Sequence, residues 1–109
     1  MDSISKALDM KIGQLEVEDY GLLEICRKWR IARLDAFGSV LRGDFSADSD
    51  VDLLVTFESG MSPAKFGLMQ AEQEFSALIG RDVDLVPKDA LKWVVQDRIQ
   101  REARPVFSI

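Results

Sequence analysis

The chain has no histidine and a single cysteine, and these two shortages remove more chemistry than anything else in its composition. Without histidine, Ser–His and Cys–His nucleophile pairs are excluded, as are most zinc sites. Cys26 alone supplies no disulfide framework. It falls in an apolar helical pattern and reads as a small buried hydrophobe rather than a reactive thiol. Long apolar runs are also missing. Met1–Met10 does not carry the apolar stretch of a signal peptide, and nothing approaches a membrane span, so a cytoplasmic protein with no membrane partner is expected. Positive charge is in short supply: 14 Lys and Arg against 19 Asp and Glu leave a net charge of −5. That balance argues against direct nucleic-acid binding, which normally demands a basic face. A local basic patch stays open at Arg27, Lys28, Arg30 and Arg33.

What is present is an ordinary globular composition, 47% hydrophobic and 30% charged. A chain of 109 residues is expected to form one domain spanning 1–109. At that size about two-thirds of the unfolded surface can be buried, enough for a self-standing core. Ser3–Ile12 reads as a short helix closed by Gly13. Glu18–Trp29 is a stronger helix, with Leu22, Leu23, Ile25, Cys26 and Trp29 on one stripe. Its acids lie in the first turn and its bases in the last, as the macrodipole favours. Ile31–Phe37 and Val51–Phe57 read as strands. A helix capped by Ser62, with Pro63 in its first turn, is expected to run to Ile79 with Phe66, Met69, Phe75, Leu78 and Ile79 facing inward. Arg81–Val86 is a third strand, stopped by Pro87. A last helix over about Asp89–Glu102 turns Leu91, Val94, Val95 and Ile99 inward, and Arg104–Ile109 ends the chain as a short edge strand. The sum is an α+β fold, a small mixed sheet with helices packed on one face.

The most informative passage joins two of these strands. Phe37 is followed by Gly38-Ser39, then ten residues, then Asp50-Val51-Asp52. Residues two apart on a strand share a face at ~6–7 Å. Two ionised carboxylates held so repel each other unless a cation sits between them. Acidic-x-acidic pairs are common in so acidic a chain, about three by chance, and Asp48/Asp50, Asp82/Asp84, Glu16/Glu18 and Glu72/Glu74 are others. Context sets Asp50/Asp52 apart. Val51, Leu53 and Val55 define the core face, and Gly38-Ser39 brings backbone N–H groups to the same sheet edge. Gly38 lets a phosphate approach where a Cβ would block it. Ser39 is expected to cap the turn Val40-Leu41-Arg42 and to offer an anion site at its start. Arg42 is either a phosphate contact or an exposed arginine, and Asp44 and Asp48 read as solvated loop acids.

The run from Phe37 to Val55, with Asp84 downstream, resembles the minimal nucleotidyltransferases of the DNA polymerase β-type superfamily. Gly-Ser, ten residues, Asp-x-Asp is their signature, matched here without a gap. The resemblance implies the polymerase β-like nucleotidyltransferase fold and a magnesium site of two ions held by Asp50, Asp52 and Asp84, which are also the catalytic residues. Asp82 shares a face with Asp84 by the period of two, so the choice of Asp84 rests on the family pattern. Gly38, Ser39 and Arg42 would bind the nucleotide. One departure is visible: Val40-Leu41 stand where the family often has Arg or Tyr followed by Ala, which removes one possible phosphate contact.

A stand-alone domain of this kind resembles the minimal nucleotidyltransferases that serve as antitoxins beside HEPN-type ribonuclease toxins. The resemblance therefore implies transfer of AMP from ATP to a tyrosine hydroxyl of the cognate toxin. Two other readings remain at this level: a module that neutralises its partner by occlusion without catalysis, and a nucleotidyltransferase acting on RNA or a small molecule. A crowd of apolar residues at the C-terminal end (Trp93, Val94, Val106, Phe107, Ile109) either packs the last helix on the sheet or forms a partner surface.

Overall fold

A computed structural model describes residues 9–13, 15–43 and 45–109. The expected helix over Ser3–Ile12 is replaced, in its described part, by strand β1 (Asp9–Ile12). It pairs antiparallel with β2 (Leu15–Glu18), Ile12 standing opposite Leu15. The signals for this hairpin are the alternation of Leu15-Glu16-Val17-Glu18, with only Val17 buried, and Gly13 at φ 57. Two-residue hairpin turns demand positive φ, which glycine supplies without a steric penalty. Asp44, read above as a loop acid, lies outside the described residues.

Helix α1 (Asp19–Lys28) begins where expected, and Glu18 caps it by accepting from the N–H groups of Tyr20 and Gly21 at 3.2 and 2.9 Å. Leu22 and Cys26 on its apolar stripe are fully buried. Burial pushes the Cys26 thiol up to about 12, so it stays protonated and unreactive at neutral pH. Strands β3 (Ile31–Phe37), β4 (Val51–Phe57), β5 (Val83–Pro87) and β6 (Arg104–Ser108) form one sheet in the order β5-β4-β3-β6. The β4–β5 pair is parallel and the other two are antiparallel, giving a mixed sheet. Helix α2 (Lys65–Ile79) crosses between the parallel strands and, with α1, covers one sheet face. The core joins Leu22 and Cys26 to Ala71 and Phe75 over Leu34, Ala36, Val51, Leu53, Val55, Val83 and Leu85. Full burial of Phe75 alone is worth about 2–3 kcal/mol.

The apolar stripe of α2 differs from expectation. Leu68, Ala71, Phe75 and Leu78 face the sheet, whereas Phe66 is 85% exposed and Met69 is exposed too. At 100° per residue Phe66 falls nearly opposite Phe75's stripe, and the helix starts at Lys65 after Ala64 with no side-chain cap from Ser62. Helix α3 (Trp93–Glu102) is shorter than expected and buries no residue fully. Trp93 is 79% exposed, and Val94 and Val95 also face solvent, while Val106 and Phe107 of β6 pack partly against the core. The apolar crowd at the C-terminal end therefore divides between packing and exposure. No helix among the described residues is long and apolar enough to cross a membrane.

The sequence's basic patch is largely neutralised in place. Arg30 pairs with Glu58, Arg33 with Asp35, and Lys28 with Glu74. Glu74 also accepts from Trp29 Nε1 at 3.0 Å, which ties α1 to α2. The hydrogen bond from Lys28 chiefly, with that from Trp29, holds its carboxyl below the usual range. A lowered folded-state value means the stabilisation is fully present above the ordinary glutamate value of 4.5 and is lost as the pH falls through the lowered one. Glu74→Gln is expected to cost about 0.5–1 kcal/mol at pH 7 and to flatten that acid slope. Thermal melts between pH 3 and 7 read both effects, and parallel slopes for variant and parent would contradict the assignment.

Candidate active site

The register of β3 with β4 sets Phe37 opposite Asp52, so the chain leaves β3 beside the acidic start of β4. Gly38 follows at φ 80, a conformation costly for any residue with a Cβ. A Cβ built there would lie 2.5 Å from Asp52 Oδ2. Glycine is thus required twice, for the turn and for the close approach of backbone to carboxylate. Gly38–Leu41 then form a single 3₁₀ turn, closed by Arg42 N–H donating to Ser39 O at 2.9 Å. Ser39 is not the expected cap: it lies inside the turn, Phe37 precedes it, and no side-chain cap bond forms. Four residues also build no useful macrodipole, so anion affinity here rests on local N–H groups and the Ser39 hydroxyl.

Val40 is fully buried, which explains how an apolar residue serves in this turn. It packs beneath the β1–β2 turn so closely that a Cβ on Gly13 would fall 2.3 Å from Val40 O. The N-terminal hairpin therefore props the Gly38–Leu41 turn from behind.

Asp52 and Asp84 are register partners on the parallel strands β4 and β5. Neighbouring strands lie ~4.8 Å apart, and the two side chains share the face opposite Val51, Leu53, Val83 and Leu85. Asp52 is partly buried, while Asp84 and Asp50 are exposed. Asp50 immediately precedes β4, whose first N–H, that of Val51, donates to Asp82 O at 2.8 Å. Burial first, then the charges of Asp84 and Asp50, push the Asp52 carboxyl up from its usual range, and Arg42 opposes them. None of the three acids points into the apolar layer.

Asp50 also borders a cavity of ≈ 370 Å³ with Asp48, Ser49, Ser76, Arg81 and Asp82, so Asp82 accompanies Asp50 rather than Asp52. A separate pocket of ≈ 310 Å³ is lined by Gly38, Leu41, Arg42, Glu102 and Arg104. Among the described residues, no three acidic or thiol side chains form a group able to hold a metal ion unaided. Magnesium commonly takes one or two carboxylates and completes its shell with phosphate oxygens and water. The mutually repelling pair Asp52 and Asp84, with Asp50 nearby, fits that second arrangement. It would hold magnesium together with a substrate rather than in an all-protein cage.

Two arginines of this region escaped the sequence reading. Arg81 Nη1 donates to Ser46 O at 2.7 Å and to Ser49 O at 3.2 Å, and its guanidinium lies 4.4 Å from the Phe45 ring centroid. It pins the loop that delivers Asp50 to β4. Arg104 enters through β6, where it pairs with Ala36 of β3. Neither has a local pattern that announces it: Arg81 bonds residues more than thirty positions away, and the β3–β6 register alone brings Arg104 to the turn.

The sequence matches the family described as nucleotidyltransferase domain over residues 20–106. It is 39% identical over 79 residues to a protein adenylyltransferase, MntA, of Thermococcus cleftensis, covering 72% of this chain and 78% of that protein. A solved candidate minimal nucleotidyltransferase superposes with a TM-score of 0.67 at 33% identity, over 80% of this chain and 87% of its own. A solved complex of a tri-AMPylated Shewanella oneidensis HEPN toxin with an MNT antitoxin gives a TM-score of 0.62 at 16% identity. That match spans 83% of this chain and 69% of the other, and at such identity it speaks for the fold.

Proposed function

The chain belongs to the nucleotidyltransferase domain family, and from that premise we propose that it transfers AMP from ATP, with magnesium, to a tyrosine hydroxyl of a HEPN-type toxin, as that toxin's antitoxin. The observation that carries this reading is the placement of Asp84 beside Asp52, whose carboxylate closes on the Gly38 backbone. Support for the nucleotide and the protein acceptor comes from the adenylyltransferase named among its relatives and from the AMPylated toxin bound by a fold relative.

In this mechanism Asp50, Asp52 and Asp84 would hold the metal, and Gly38-Ser39 with Arg42 would receive the phosphates. Magnesium, when bound, would supply charge neutralisation and polarise the α-phosphorus. Asp84, exposed on the edge strand, accepts the proton of the incoming hydroxyl. The new O–P bond forms in line as the bond to pyrophosphate breaks. The rest of the protein's contribution is positioning and electrostatic stabilisation, as phosphoryl transfer requires.

The exposed Trp93, Val94 and Val95 favour a second reading, in which the protein silences its partner by contact alone. Incubation with α-labelled ATP, magnesium and the product of the neighbouring gene separates the two. An AMP adduct on a tyrosine of that product is the expected result. A stable complex with no adduct and no label transferred would favour occlusion.

A further inference from the structure

The sequence leaves the Gly-Ser turn with one cation, Arg42. Val40 cannot serve, because it is buried under the N-terminal hairpin. Three carboxylates stand at the same rim, and a bare triphosphate would meet strong repulsion there. Magnesium, when bound, would offset only part of that charge. The phosphates still need a positive partner of their own.

We propose that Arg104 is that partner: a phosphate-binding residue, delivered by the last strand, that holds the β- and γ-phosphates of the nucleotide. The inference rests on the nucleotidyltransferase reading above. Arg104 pairs with Ala36, two residues before Gly38, so β6 carries its side chain to the end of β3 from which the turn departs. It lines the same ≈ 310 Å³ pocket as Gly38, Leu41 and Arg42, a space adequate for a diphosphate moiety. Its own contacts are slack: among the described residues Nη1 reaches only the neighbouring carbonyls of Glu102 and Ala103, both at 3.3 Å. The side chain is exposed and therefore able to turn toward an anion without breaking the core. Glu102 lines the pocket as well and offsets part of the positive charge. A planar guanidinium that grips two phosphate oxygens at once outweighs a single carboxylate at the rim. The pairing of Arg42 from the turn with Arg104 from the edge strand also gives β6 a role in substrate binding besides closing the sheet.

The test compares ATP, ADP and AMP binding, each with magnesium, by calorimetry on the parent, Arg104→Ala and Arg104→Lys. Arg104→Ala should weaken ATP about tenfold and ADP severalfold, leave AMP within about twofold, and be partly rescued by lysine. Thermal melts should show the variants as stable as the parent, since the side chain makes no core contact. Equal losses for ATP and AMP, or unchanged ATP affinity in Arg104→Ala, would overturn the role of Arg104 while leaving the nucleotidyltransferase reading intact. Failure of the parent to bind ATP at all would overturn both.

Discussion

Asp52→Asn is expected to abolish AMP transfer and at the same time to make the protein more stable. Loss of a carboxylate proposed to hold the metal should cost at least ~10³-fold in turnover, several kcal/mol of transition-state stabilisation. The stability gain follows from the cause of the raised Asp52 value: burial, and the repulsion of Asp84 and Asp50. An acid whose folded-state value is raised destabilises the fold progressively as pH rises from the ordinary value of 3.8 through the raised one. An asparagine carries no charge to desolvate or repel, so the variant should gain on the order of 1 kcal/mol at pH 7. Its stability should also vary less across the acid range. Magnesium with ATP should stabilise the parent more than the variant, because binding to the folded state alone adds stability. A variant that melts lower than the parent at pH 7 would contradict the burial and repulsion at Asp52, and one that retains turnover would remove Asp52 from the metal site. The effect opposes that of Glu74, where pairing lowers the carboxyl and low pH is the destabilising direction. Two acids of one small protein thus report function and structure through opposite pH slopes.

Gly38→Ala is expected to lose activity far out of proportion to stability. The φ of 80 costs a Cβ-bearing residue about 1–2 kcal/mol. The new methyl would sit 2.5 Å from Asp52 Oδ2, and the flexible carboxylate is the part that moves. A displacement of about 1 Å in a positioning group costs roughly 10²-fold in rate. Gly43→Ala serves as the control, since a Cβ at Gly43 meets nothing within 4 Å. Steady-state transfer assays with melts on both variants decide the point. Equal activity losses in the two would show that the Gly38–Asp52 contact does not matter.

Much of the candidate site was legible because it is local. Gly38-Ser39, the ten-residue gap and the alternation around Asp50 and Asp52 are properties of a single hairpin-like passage, β3 to β4. The strand period of two declares which side chains face the core, and Gly at positive φ declares the turn. Asp84 was harder, since Asp82 fits the same period, and only the parallel register with β4 sets Asp84 beside Asp52. The same limits explain the misses in the fold. Helical spacing of apolar residues alone turns Phe66 and Met69 inward, because it does not say where α2 begins. A helix is expected over Ser3–Ile12 where β1 stands because a four-residue strand carries too short a pattern to outvote helical propensity.

The amino-acid sequence by itself determined the α1 stripe, the central strands, the glycine turn and the acidic pair, because neighbouring residues settle backbone conformation and facing. Only the tertiary structure decided that Val40 is a buttress, that Arg81 fastens the loop before Asp50, and that Arg104 shares a pocket with Gly38 and Arg42. Those juxtapositions join residues separated by tens of positions. Chain closure, sheet order and register set such distances, and no local pattern encodes them.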